Sequence, residues 1–173
     1  MNLKDSIRTV PNWPIEGVMF RDVTTLMQDP KAFKAACDKF IERYKDKKID
    51  KVVGIDARGF IIGAVLAYEL GVGFVPVRKK GKLPYKTISA EYTLEYGSAI
   101  VEIHEDAISK GERVLIVDDL MATGGTMSAA IELVEKLGGE IVECAFIVEL
   151  PDLKGREKIK GKKIYALTAF EGD

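Results

Sequence analysis

Two adjacent carboxylates, Asp118 and Asp119, are separated by only Leu120 and Met121 from the segment Ala122-Thr123-Gly124-Gly125-Thr126. Glycines let backbone N–H groups come close to a phosphate, threonines add hydroxyl donors, and a helix that starts there presents its positive end. The segment is therefore suited to holding a phosphate. Acids repel phosphate, so Asp118 and Asp119 suit a different part of the same ligand: the vicinal hydroxyls of a sugar, with Mg²⁺ nearby. A sugar phosphate whose ribose lies over the two acids meets both demands. An apolar run ending in Asp-Asp also occurs on the Mg²⁺ strand of P-loop NTPases. That reading needs a GxxxxGK[ST] loop, and here Gly81-Lys82 is followed by Leu83.

Other stretches carry charge where it can do chemistry. Asp56-Ala57-Arg58-Gly59-Phe60 places an arginine beside a glycine at an expected helix start, a good place for a second anion, although an exposed loop arginine would look the same. Arg78-Lys79-Lys80-Gly81-Lys82-Leu83-Pro84-Tyr85-Lys86 is strongly basic. A charge run is ordinarily a solvated face. Between core strands, where connections are short, it suits a lid over an anionic ligand. Phe20, flanked by Arg21 and Asp22, reads on its own as a hydrophobic anchor with a local ion pair. His104, the one histidine, sits among Glu102, Glu105 and Asp106 and reads as a surface residue.

The elements that must position these groups follow from periodicity. Val114-Leu115-Ile116-Val117 is apolar throughout, as in a strand buried on both faces, with the acid pair expected where it leaves the sheet. Helical spacing of Ala129, Ile131, Leu133, Val134 and Leu137 follows the glycine turn. Residues 51–55 make a second strand, followed by a helix over 61–70 that Gly71 closes. Asp29 as N-cap and Pro30 at the first helical position open a long helix with Phe33, Ala36, Cys37, Phe40, Ile41 and Tyr44 on its inner face. Residues 73–77 read as a strand, and 87–95 and 98–104 as an antiparallel pair rising from the sheet. Residues 141–150 and 164–167 supply the last strands, joined by a polar, basic connection, and a short helix is expected over 3–9. Ligands of such open α/β sheets bind at the carboxyl ends of the strands.

Composition narrows the function. The chain has 173 residues, 47% apolar and 31% charged, with a formal net charge of −1, an ordinary soluble composition for one domain. No basic field calls for nucleic acid. Residues 1–10 lack an apolar leader region, and no apolar run reaches membrane-spanning length, so no membrane partner is expected. Cys37 and Cys144 have no metal-ligand spacing and read as reduced core thiols of a cytoplasmic protein.

The strand, the acid pair and the phosphate turn together resemble, residue for residue, the PRPP-binding signature of the type I phosphoribosyltransferases. The likeness continues, in order and spacing, through residues 14–22, 56–60, 78–84 and 92–97 and through Leu153-Lys154-Gly155-Arg156-Glu157, nearly the whole chain. It implies an α/β fold in a single domain over 1–173, with a mainly parallel central sheet flanked by helices, a hood over 1–28 and a flexible hairpin lid over 78–103. It implies transfer of the phosphoribosyl group of PRPP to adenine, giving AMP and pyrophosphate, in a homodimer.

By position, the resemblance gives Asp118 and Asp119 the ribose hydroxyls and Ala122, Thr123, Gly124, Gly125 and Thr126 the 5′-phosphate. Asp56, Ala57 and Arg58 match the pyrophosphate loop, often cis at the Asp56–Ala57 bond. Arg78, Lys79 and Lys82 match cations that reach pyrophosphate, Arg78 across the dimer interface. Met19, Phe20 and Arg21 match the base-binding hood. Glu95 is the candidate to take the ring proton of the base and is grouped with Arg58 as catalytic. Mg²⁺ is expected on PRPP and pyrophosphate, near Asp118 and Asp119 through water, with no direct protein ligand. Two alternatives stand beside this: transfer to another purine, whose 6-oxo group would need a donor where adenine needs an acceptor, and a non-catalytic PRPP-sensing regulator.

Overall fold

The computed structural model describes residues 1–94 and 96–172. Its centre is the strand pair expected from the apolar runs. β3 (Lys51–Ile55) and β7 (Arg113–Met121) lie parallel, with Val52 opposite Leu115 and Val53 opposite Ile116. β4 (Gly73–Lys79), β5 (Thr87–Thr93), β6 (Ser98–His104), β8 (Glu140–Glu149) and β9 (Ile164–Ala169) complete a seven-stranded sheet of order β5-β6-β4-β3-β7-β8-β9. The β3–β4, β7–β8 and β8–β9 pairings are also parallel. The antiparallel hairpin forms as expected. It extends the sheet, because β6 pairs antiparallel with the end of β4, with Arg78 opposite Glu102 and Lys79 opposite Val101.

Alternation along the strands divides the core between the two faces of the sheet. Val52, Leu115, Val117, Ala145 and Ile147 pack with Phe40 and Tyr44 of α2 (Pro30–Tyr44) and with Ile62 and Leu66 of α3 (Arg58–Leu70). Val53, Ile55, Ile116 and Phe146 face Ala130, Leu133 and Val134 of α4 (Gly125–Lys136). Each of the larger apolar side chains among these contributes about 1.5–3 kcal/mol by leaving water. With both faces covered, β7 is fixed between helices, and its end can serve as a rigid support.

Asp29 caps α2 as expected, accepting from Lys31 N and Ala32 N, with Pro30 in the first turn. One polar group inside the core is fully partnered. Glu143 of β8, 3% exposed, takes a fork of bonds from Arg43 and a third from the Tyr44 hydroxyl. Burial works against its charge, but these partners outweigh burial and leave its carboxyl below the usual range.

Several boundaries depart from the periodicity, three of them near the hood and the site. Residues 3–9 are not one helix: a 3₁₀ turn over Leu3–Ser6 gives way to β1 (Arg8–Pro11), which pairs with β2 (Met19–Asp22) in a separate two-stranded sheet. Thr25 Oγ1 draws the chain out at that point, accepting from Arg8 N and donating to Ser6 O. α3 starts at Arg58 rather than at residue 61, and Gly71 closes it in the left-handed conformation. The strand of the acid pair runs on to Met121, so Asp118 and Asp119 lie within it. The ladder to β8 persists past them, with Leu120 opposite Val148 and Met121 opposite Glu149.

Candidate active site

The acids sit on a paired strand. Asp119 is 4% exposed and Asp118 half-buried, and both line one cleft. Asp118 Oδ1 accepts from the Asp119 backbone N–H at 2.8 Å. The first turn of α3 sits against this point because Gly59 has no side chain: a β-carbon there would lie 2.9 Å from Val117 O and 3.0 Å from Asp118 Oδ1. That approach delivers Arg58, whose Nε donates to Asp119 Oδ2 at 2.5 Å.

The surroundings of Asp118 oppose its charge. Removal from water, followed by the charge of Asp119, pushes the Asp118 carboxyl well above the ordinary carboxylate range. Burial also opposes the charge on Arg58. The hydrogen bond and charge of Asp119, with Asp118 and Asp22 adding to them, more than offset this and hold the guanidinium protonated.

The turn after β7 is built as an anion cradle. Gly124 takes φ 85°, a conformation that disfavours a side chain, and caps α4 with no side-chain hydrogen bond to the helix start. The first N–H groups of the helix are thus left to whatever enters. A cavity of about 100 Å³ lies over the turn, bounded by Asp118, Ala122, Thr123, Gly124, Gly125 and Thr126 among others. Beside it is a cleft of about 360 Å³ walled by Asp56, Ala57, Arg58, Lys79, Tyr92 and Asp119. The two spaces share Asp118, Leu120 and Thr126. An anion-sized cradle, an acid pair and a cationic wall thus follow one another along one depression.

The structure brings most of the expected residues together. The Asp56–Ala57 bond is cis, as the resemblance implied. Arg78 Nε reaches Asp56 Oδ2 of its own chain at 3.2 Å, and its guanidinium lies 5.9 Å from the Phe60 ring. Lys82 is exposed on the connection after β4 and is not among the residues walling either space. Met19, Phe20 and Arg21 lie on β2. Phe20 meets Trp13 edge-on at 4.5 Å, and Arg21 bonds Thr9 Oγ1 and lies over the Phe170 ring at 4.5 Å. Their strand ends at Asp22, whose charge adds to those that favour the protonated Arg58. Glu95 lies outside the described residues. Among the described residues, no group of three or more His, Cys, Asp or Glu side chains is arranged to hold a metal.

Sequence reasoning missed several walls of the site. Tyr92 stands apart from neighbours at the same spacing: Leu94 is 46% and Tyr96 88% exposed, while Tyr92 turns into the cleft. The packed face ends with β5 at Thr93, where the pleat is lost. Phe146, from a strand distant in sequence, closes the cradle from the side. Gly155 lies against the turn itself, and the only sequence signal for it was the resemblance over residues 153–157.

Comparison with known proteins places the chain among relatives. The family model described as the phosphoribosyl transferase domain matches residues 23–171. The adenine phosphoribosyltransferase of Desulfosudis oleivorans is 70% identical over 173 residues, covering 100% of each chain. That of Clostridium botulinum is 58% identical, covering 98% of this chain and 99% of its own. Among solved structures, the adenine phosphoribosyltransferase of Thermoanaerobacter pseudethanolicus superposes with a TM-score of 0.93 at 49% identity, over 97% of this chain and 98% of that one. The Trypanosoma brucei enzyme, solved with AMP, pyrophosphate and ribose-5-phosphate, gives 0.89 at 30% identity, over 96% and 78%.

Proposed function

The chain belongs to the phosphoribosyltransferase family, and from that premise we propose that it is an enzyme transferring the 5-phosphoribosyl group of PRPP to adenine, giving AMP and pyrophosphate. The observation that carries this is the continuity of the anion cradle with the cation-walled cleft through Asp118, Leu120 and Thr126. A ligand with a phosphate at one end, a sugar in the middle and a second anion at the other end fits that order.

In this account the cradle at residues 122–126 takes the 5′-phosphate, and Asp118 and Asp119 take the ribose hydroxyls. Asp56, Ala57, Arg58, Arg78, Lys79 and Lys82 serve the pyrophosphate, and the hood strand with Met19, Phe20 and Arg21 serves the base. Adenine N9 attacks C1′ as the bond from C1′ to the pyrophosphate oxygen breaks. The pyrophosphate leaves with the bonding electrons, and the ring proton passes to a base, for which Glu95 is proposed. Arg58 and Lys79, already in the wall of the cleft, stabilise charge on the leaving oxygens. Asp118 and Asp119 favour the positive character that develops at the sugar. When bound on the pyrophosphate oxygens, Mg²⁺ adds further neutralisation of the leaving group. The hairpin of β5 and β6, with the basic connection before it, serves as a lid that keeps water from C1′.

A homodimer completes the proposal. Ile61 and Tyr68 of α3 are 46% and 84% exposed, and Ala64 and Val65 lie between them on the same helix face. This apolar stripe begins one turn from Arg58, so a second copy seated on it comes close to the cleft. Light scattering that gives a monomer mass at assay concentrations would remove this part of the account.

The test is turnover with PRPP across adenine, hypoxanthine, xanthine and orotate. Adenine should be consumed and AMP and pyrophosphate formed in equal amounts. Preference for a 6-oxopurine would overturn the substrate assignment, and PRPP binding with no turnover on any base would favour a regulator.

A further inference from the structure

The phosphate turn does not hold its shape alone. Its back rests on the chain at Gly155, so closely that a β-carbon at Gly124 would lie 2.5 Å from Gly155 O. A β-carbon at Gly155 would in turn lie 2.6 Å from Ala122 O and 3.3 Å from Gly124 N. Two backbones are therefore in direct contact, and whatever fixes residue 155 also fixes the cradle.

What fixes it is next in sequence. Arg156 Nε and one terminal nitrogen donate to the two oxygens of Glu149 at 2.7 and 2.8 Å, a forked pair. Glu149 is 8% exposed and ends β8, directly opposite Met121 at the end of β7. The Leu150 N–H completes the frame by donating to Met121 O at 3.0 Å. A closed circuit results, from Met121 across to Glu149, through the guanidinium of Arg156 to Gly155, and from Gly155 back onto Gly124. Arg156 walls neither the cradle nor the cleft.

We propose that Arg156 and Glu149 are positioning residues for the 5′-phosphate, clamping the segment that backs the Ala122-to-Thr126 turn. The proposal rests on the phosphoribosyl-transfer reading above. A clamp on the cradle acts on ligands through their 5′-phosphate and leaves the base subsite unaffected. A general structural prop would lower thermal stability and weaken all ligands alike.

The experiment compares Arg156→Ala and Arg156→Lys with the parent enzyme in steady-state kinetics and in AMP calorimetry. Arg156→Ala should raise the KM for PRPP and weaken AMP by about tenfold, with the KM for adenine within about twofold and kcat within about threefold of the parent. Arg156→Lys keeps the charge but not the fork, so its loss should be intermediate, and it carries the test if the alanine variant does not fold. Lys162→Ala, which removes the surface bond to Glu135, is the control and should change none of these constants. Unchanged AMP affinity in a folded Arg156 variant overturns the proposal, as does an equal loss for PRPP and adenine. Failure of the parent enzyme to turn over would instead count against the functional reading, and AMP calorimetry would still read the clamp.

Discussion

Arg58 and Asp119 form an ion pair of 2.5 Å across the floor of the cleft, joining the start of α3 to the end of β7. One partner is proposed for the leaving group and the other for the sugar. A ligand that spans both must take over both ends of the pair: hydroxyls replace the guanidinium at Asp119, and phosphate oxygens replace the carboxylate at Arg58. The exchange leaves each end hydrogen-bonded, with an anion on Arg58 and neutral donors on Asp119.

Arg58→Ala should therefore damage function far more than stability. It leaves Asp119 without its cation, but Arg58 is about half exposed and water can enter, so the expected loss of stability is about 1 kcal/mol. Catalysis loses a group that acts on developing charge, an effect of about 10²–10³-fold in kcat. Thermal melts and steady-state rates on one preparation check both. A large fall in Tm with kcat preserved would reverse the assignment.

Asp118→Asn should do the opposite to stability. The folded protein holds the Asp118 carboxyl above its ordinary value of 3.8. Its contribution to stability is thus complete below that value and is lost as pH rises towards the raised value. Asparagine keeps the Oδ1 acceptor for the Asp119 N–H and removes the charge. Its Tm should exceed that of the parent at pH 7, and the gap should close as pH falls towards 3.8. AMP affinity should drop by about tenfold from the lost hydroxyl partner. A Tm below the parent at pH 7 would mean that Asp118 is stabilised as a carboxylate in the fold.

Periodicity carried the sheet and its helices because both faces of β3 and β7 are buried, and a chain buried on both sides is apolar along its whole length. The same rule hid how far β7 extends. Asp118 and Asp119 break the apolar run, yet the backbone ladder to β8 continues through them, and ladders leave no trace in side-chain type. The cradle was legible because a turn shaped for an anion draws on local residues, here two glycines and two threonines at one helix start. Its support was not, since Gly124 meets Gly155 and Arg156 meets Glu149 only once β7 and β8 lie side by side. Tyr92 could not be singled out for a related reason. Alternation gives the face of a residue only while the strand lasts.

Glu95 is expected to take the ring proton, a role motivated by its place in the Tyr92-to-Gly97 segment of the hairpin whose Tyr92 walls the cleft. General base assistance is worth about 10²–10⁴-fold, so Glu95→Gln should lower kcat by that order and leave the KM for PRPP nearly unchanged. Wild-type turnover in this variant, with chemistry shown to be rate-limiting, would send the proton by another route.

The central claim is that the turn and the acid pair hold two halves of one ligand. A crystal structure of the AMP complex tests it most directly. The expected result is the 5′-phosphate within hydrogen-bond reach of the backbone N–H groups of residues 123–126, the ribose hydroxyls on Asp118 and Asp119, and Arg58 parted from Asp119. AMP bound with its phosphate outside the cradle, or with its ribose away from an intact Arg58–Asp119 pair, would contradict it.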